Sequence, residues 1–257
     1  MAISLASLRR GGEARPPRLL IYGVAGIGKT SLGAAAPKPV FLQTEDGLGM
    51  LDAPTFGMLR SFNEVIEALD ALQTEDHDFE TAVIDSLDWL EPLVWQHTAF
   101  MHNHKDIESF GYGKGYVMAL DTWRIVLDRL NALRDQRNMT IIMLAHAEIK
   151  RFDSPETEPY DRYQPKLHRS ASALVQEHVD AVLFANYRIS TLKTDVGFNK
   201  QVVRGVGGGE ARVLHTTERP AYLAKNRFNM PETIPLSWPD LAAHLTFYAN
   251  PNPNPRS

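Results

Sequence analysis

The stretch Gly23-Val24-Ala25-Gly26-Ile27-Gly28-Lys29-Thr30 constrains this chain more than any other. It has the form G-x-x-x-x-G-K-[ST], follows the apolar run Leu19-Leu20-Ile21-Tyr22, and leads into a short helical pattern. Glycines let the backbone curl so that successive N–H groups point at phosphate oxygens. A helix beginning there adds its positive end. The pattern predicts a nucleotide-binding loop over Gly23, Val24, Ala25, Gly26, Ile27, Gly28, Lys29, Thr30 and Ser31, with Lys29 reaching the β- and γ-phosphates and the Thr30 hydroxyl ligating Mg²⁺.

Short apolar runs alternate with helical patterns on either side of that loop. Strands are expected at 19–22, 39–42, 81–85, 139–145 and 180–186, and helices at 87–101, 117–133 and 171–178. Ser61 and Glu64 form a capping box ahead of Val65, Ile66, Leu69 and Leu72 at helical spacing. Near-continuous apolar strands separated by helices indicate a parallel sheet covered on both faces. Residues 104–116 and 147–169 read as loops. After residue 190, Val202-Val203, a glycine-rich turn over Gly205–Gly209 and Val213-Leu214 suggest an antiparallel hairpin, followed by a strand at 221–223 and a last helix capped by Ser237 and Asp240. The expectation is one α/β domain over 18–248 with a C-terminal antiparallel extension, a flexible segment at 1–17 and a disordered Pro/Asn tail at 249–257.

Two carboxylates extend the site. Asp85 ends the strand Ala82-Val83-Ile84, 56 residues after Lys29. At the C-terminal end of a central parallel strand it lies beside the phosphate loop and can hold the Mg²⁺ water shell; its bland use is a cap for the next helix. Ser86 follows where many ring-forming motors carry a catalytic Glu, so the base must come from elsewhere. Glu45, just past the second strand in Phe41-Leu42-Gln43-Thr44-Glu45-Asp46-Gly47-Leu48, is the candidate, with Asp46 as competitor.

These blocks, with Ile141-Ile142-Met143-Leu144-Ala145-His146, resemble the RecA-like core P-loop ATPases. The resemblance implies Glu45 as catalytic base and His146 as a reader of the γ-phosphate that relays nucleotide state to a DNA-binding loop. It implies that Lys225 and Arg227, two cations at i and i+2, act on a neighbouring subunit's ATP, which requires a homo-oligomeric ring or filament. It also matches two stretches to the loops that hold single-stranded DNA: Phe110, Tyr112, Lys114 and Tyr116 in the first, and Lys150, Arg151, Arg162, Lys166 and Arg169 in the second. Aromatics there stack on bases and cations contact phosphates. From about residue 17 to 247 the chain looks like the short phage-encoded RecA-like proteins of single-strand annealing and recombination. The implied function is an ATP-dependent, Mg²⁺-dependent, DNA-stimulated recombination ATPase, with a single-strand-binding protein as a further partner.

The remaining features set limits. Lys plus Arg total 27 against 31 Asp plus Glu, a net charge of −4, which argues against a protein coated in basic charge for duplex DNA but not against an inward groove. With no cysteine there is no disulfide framework, thiolate metal site or thiol nucleophile. No apolar run approaches the ~18 residues of a membrane helix, and the expected location is cytoplasmic, the bacterial host cytoplasm if phage-encoded. A replicative-helicase-like hexameric motor is the main alternative. A small-molecule P-loop kinase fits less well, because kinases usually carry an Arg-rich lid. A nucleotide-gated module with negligible turnover is a third.

Overall fold

A computed structural model describes the backbone of residues 14–155, 158–195 and 201–249, with side chains outside 189–210. The segment up to residue 13 and the tail from residue 250 lie outside the described residues.

The chain runs β1 (Arg18–Gly23), α1 (Lys29–Ala34), β2 (Pro39–Gln43), β3 (Thr55–Met58), α2 (Phe62–Thr74), β4 (Thr81–Asp85) and α3 (Leu87–Met101). A 3-10 turn at Ile107–Phe110 leads to α4 (Lys114–Gln136), β5 (Thr140–Phe152), β6 (Tyr160–Pro165), α5 (Arg169–His178), β7 (Ala181–Asp195) and β8 (Gln201–His215). β9 (Lys225–Asn226), β10 (Thr233–Pro235), α6 (Trp238–Ala242) and α7 (Thr246–Ala249) complete it. The strand order is β10-β8-β7-β1-β5-β4-β2-β3, with β6 paired to β5 and β9 to β7. From β7 to β3 every pairing is parallel; β8 and β10 are antiparallel. The fold is mixed α/β, a mainly parallel sheet between helices with an antiparallel extension, and the phosphate-loop sequence follows β1.

Strand alternation divides the core into two layers. Leu20, Tyr22, Ala82 and Ile84 face α2, α3, α4 and α5, whereas Leu19, Ile21 and Val83 face α1 and α6. Ser61 and Glu64 form the expected capping box, Ser61 Oγ accepting from Glu64 N at 3.2 Å. Tyr22 is buried on the first face and donates its hydroxyl to Leu223 O at 2.6 Å and to Tyr163 O at 3.2 Å. That one side chain ties the central strand to two later segments.

Four expectations are corrected. Residues 147–169 are not a long loop: β5 runs on to Phe152 and pairs antiparallel with β6. The 104–116 stretch contains the 3-10 turn, and α4 begins at Lys114. Gly205–Gly209 is not a turn but lies within β8, where Gly205 and Gly207 pair with Thr191 and Ile189. The strand expected at 221–223 is reduced to isolated bridges of Tyr222 with Tyr163 and Arg219, and the pairing strand is β9 at Lys225–Asn226. At the chain's start, Pro16 and Pro17 are buried, and their carbonyls accept from Arg134 Nε at 2.6 Å and Ile141 N at 3.0 Å. Ala249 closes α7.

Candidate nucleotide site

The phosphate loop springs from the C-terminal end of β1. Gly23 has to be glycine, because a Cβ there would come within 2.2 Å of Ala185 O on β7. Gly28 sits at φ +107, which an L side chain rarely adopts. Between them Ile27 is fully buried and anchors the loop in the core. Helix α1 is only six residues long, so the loop's own N–H groups carry more of any anion binding than a helix dipole does. Lys29 is 7% exposed, and its Nζ donates to Gly23 O at 3.1 Å and Val24 O at 3.2 Å. Burial lowers its pKa, while the charges of Asp85, Asp88 and Glu45 oppose that shift.

The neighbouring strands β4, β2 and β5 bring Asp85, Glu45 and His146 to the same end of the sheet, beside Thr30 of α1. Thr30 Oγ1 donates to Asp85 Oδ2 at 2.8 Å. Burial raises the Asp85 pKa and the Thr30 bond works against it. Gly47 lies over this pair; a Cβ there would be 3.5 Å from Asp85 Oδ2 and 3.9 Å from Thr30 Oγ1. A hydroxyl beside a carboxylate is an oxygen donor set that suits a hard cation such as Mg²⁺.

Glu45 is positioned through its backbone and its side chain. Its N–H donates to Asp85 O at 3.2 Å, and Ser86 Oγ donates to Glu45 Oε2 at 2.9 Å. Ser86, at the position where ring motors carry Glu, thus orients the carboxylate that arrives from the adjacent strand. The competitor Asp46 is exposed. His146, at the level of Gly23 on β5, has Nδ1 at 3.7 Å from Glu45 Oε2.

Asp88, which carries no sequence signal, completes the cluster. It lies in the first turn of α3 with a side chain 3% exposed. Oδ1 accepts from His146 N at 2.9 Å and Oδ2 lies 2.9 Å from His146 Nδ1. The hydrogen bond that His146 donates to Asp88 raises the His146 pKa despite partial burial. Burial pushes the Asp88 carboxyl up, but the bonds from His146 outweigh it and leave the pKa lowered.

Lys225 and Arg227 lie elsewhere. β9 pairs with Ala181 and Val182, opposite Leu19 and Leu20 of β1, which is the end of the sheet away from the phosphate loop. Both line a surface pocket of about 370 Å³ with Ala173, Gln176 and Glu177. Lys225 Nζ is engaged by α5, donating to Gln176 O and Val179 O at 2.7 Å each. Arg227 is 56% exposed and sits 3.8 Å from Asp180.

Most of the nucleic-acid candidates are occupied within the chain. Phe110 stacks on His104 at 3.8 Å, and Tyr116 stacks on His168 at 4.1 Å and bonds Glu108. Lys150 pairs with Glu148 at 2.6 Å and Arg151 with Asp153 at 3.8 Å. Arg162 pairs with Glu218 at 2.9 Å and covers the Phe152 ring at 3.8 Å. Tyr112, Lys114, Lys166 and Arg169 are exposed and make no ion pair or ring contact among the described residues. The two stretches meet through Tyr116 and His168, and Lys166 N donates to His146 O at 2.9 Å.

Among the described residues no helix is long and apolar enough to cross a membrane. Comparison with curated proteins finds no match. Among solved structures the chain is similar to the RadB recombinase, at 15% identity over 88% of this chain and 89% of that one, with a TM-score of 0.46. Residues 15–228 match the AAA_24 family, described as an AAA domain, a span that takes in β1 to β9 and every residue of the nucleotide cluster, and on that match the chain belongs to the AAA domain family.

Proposed function

We propose that the protein is an ATP-dependent, RecA-like DNA-recombination ATPase that binds single-stranded DNA as a homo-oligomer and promotes annealing or strand pairing. The observation that carries this reading is the convergence of Thr30, Asp85, Glu45 and His146 on the phosphate loop, joined by direct contacts. Gly23 to Ser31 hold the triphosphate, with Lys29 on its β- and γ-phosphates. Thr30 and Asp85 hold Mg²⁺, which when bound neutralises charge on the phosphates. Glu45, fixed by Ser86, accepts a proton from the attacking water. His146 donates to a γ-phosphate oxygen and re-pairs when that oxygen leaves.

The route from nucleotide to DNA runs through β5. His146 is bonded to Lys166 through the backbone, and His168 stacks on Tyr116 in the first candidate DNA stretch. Tyr112, Lys114, Lys166 and Arg169 are the side chains placed to take bases and phosphates. Arg227 is the better placed of the two cations to reach a neighbour's nucleotide, because Lys225 is held by α5. The proposal extends to a single ATPase domain over 18–248, to kinship with the phage-encoded annealing proteins and to a single-strand-binding protein as partner.

Fluorescence anisotropy with a labelled oligonucleotide at low salt tests the DNA half of the proposal. Binding that changes with ATP supports it. Failure to bind single-stranded DNA with or without ATP removes the recombination reading and leaves the nucleotide site standing.

A further inference from the structure

The β7–β8 pair brings to the phosphate loop an arginine that no motif announces. Gly23 is level with Ala185 on β7, and Ala185 pairs with Leu214 on β8. Two residues further along β7, Tyr187 pairs with Arg212. Arg212 therefore stands about 7 Å beyond the level of Gly23, towards the loop, at a strand rise of about 3.3 Å per residue. Its guanidinium lies over Gly28: a Cβ there would be 3.0 Å from Arg212 Nη1 and 3.7 Å from Leu236 Cδ2. The backbone at this point is held firmly. Arg212 O accepts from Leu236 N at 3.0 Å, and the next two residues, Val213 and Leu214, are buried and pair with β10.

The guanidinium makes no hydrogen bond or ion pair with any described residue. Most arginines among the described residues have an acidic partner; Arg212 is exposed and has Gly28 of the phosphate loop beside it instead. The flanks of the loop differ, one rich in carboxylates and the other carrying an arginine. Asp85, Asp88, Glu45 and His146 come from the β5–β4–β2 side of β1, and Arg212 comes from the β7–β8 side. A triphosphate whose γ end lay beside Asp85 and Glu45 would run along the loop past Gly28, where Arg212 stands.

We propose that Arg212 is a nucleotide-binding residue acting within its own subunit, clamping the α- and β-phosphates of a bound nucleoside tri- or diphosphate. The proposal rests on the ATP-binding reading above and deepens it. Arginine suits the task, because its planar fork can span two phosphate oxygens where an ammonium is a point charge. Since both nucleotides carry α- and β-phosphates, the contact must serve ADP as well as ATP.

The test is equilibrium titration of the full chain with fluorescent analogues of ATP and of ADP, using the wild type, Arg212→Ala, Arg212→Lys and Lys29→Ala. Melting temperatures of the variants show that they fold. The proposal expects Arg212→Ala to raise Kd for both nucleotides by a similar factor, about tenfold or more for a lost charge-assisted contact, with Arg212→Lys recovering part. Unchanged Kd values in a folded Arg212→Ala, alongside weakened binding in Lys29→Ala, overturn the proposal and leave the ATP-binding reading intact. Weakened ATP with unaffected ADP also overturns it, because it moves the arginine to the γ-phosphate. A wild type that binds neither nucleotide overturns the reading itself.

Discussion

Replacing Asp88 by Asn isolates the pair that sets the proton on His146. A carboxylate only accepts, so the 2.9 Å contact fixes the hydrogen of His146 on Nδ1. In the neutral ring, Nε2 then has a bare lone pair, and only the protonated ring can donate from Nε2 to a phosphate oxygen. Asp88 favours that donor form by raising the His146 pKa. Asn keeps an oxygen for the His146 backbone N–H, now 2.9 Å from Oδ1, but removes the charge and turns an N–H towards Nδ1. A buried charge-assisted bond is worth about 1.5–3 kcal/mol and a neutral one about 0.5–1.5, so the loss is about 1–2 kcal/mol. The pH window follows from the two shifts. The lowered Asp88 pKa gives stability that is present above the ordinary Asp value and lost as pH falls through the folded value. The raised His146 pKa gives stability that is present below the ordinary His value and lost as pH rises through the folded value. The destabilisation in urea should therefore be largest near pH 5–6, between the ordinary Asp and His values, and shrink on the alkaline side. NMR titration of the imidazole should show a lower midpoint for His146 in Asp88→Asn, and the alkaline limb of ATPase activity should move to lower pH. An unmoved His146 midpoint would refute the reasoning.

Two further changes probe the supports around the site. Burial pushes the Glu91 carboxyl up to about 7, although its oxygens accept from His168 N at 2.9 and 3.1 Å. The folded protein thus holds this proton more tightly than the unfolded chain, and stability falls as pH rises from about 4.5 towards 7. Glu91→Gln should flatten that slope and be more stable than the wild type at pH 8 by about 2–3 kcal/mol; parallel melting curves for the two proteins across this range would count against it. Tyr22→Phe leaves the carbonyls of Leu223 and Tyr163 without their shared donor and should cost about 1–3 kcal/mol in urea unfolding. No change would mean that these crossings hold without it.

What could be read from the sequence was what is written locally. The phosphate loop carries its own glycine and lysine spacing. Asp85 and Glu45 stand at the ends of strands that announce themselves by unbroken apolar runs. The hairpin of β5 and β6 is not legible in the sequence because it leaves the core: residues such as Lys150, Arg151, Asp161 and Arg162 are spaced like a loop yet pair across strands. The glycines of β8 look like a turn, but backbone pairing with β7 absorbs them into a strand. Asp88 and Arg212 could not have been found by motif. One is an acid in a helix's first turn and the other a cation on an extension strand, and only the sheet order brings each to the loop. Lys225 shows the reverse: its spacing with Arg227 is as expected, but the C-terminal carbonyls of α5 claim its ammonium.

The measurement that bears most directly on the account is ATP turnover by Glu45→Gln, with ATP binding followed in the same preparation. Gln keeps the size of the side chain and can still accept from Ser86 Oγ, which lies 2.9 Å from Glu45 Oε2, but it cannot take a proton from water. Turnover should fall by about two to four orders of magnitude, the usual contribution of a general base, with ATP binding retained. Turnover equal to the wild type would remove Glu45 from the mechanism and contradict the assignment of this cluster as the hydrolytic site.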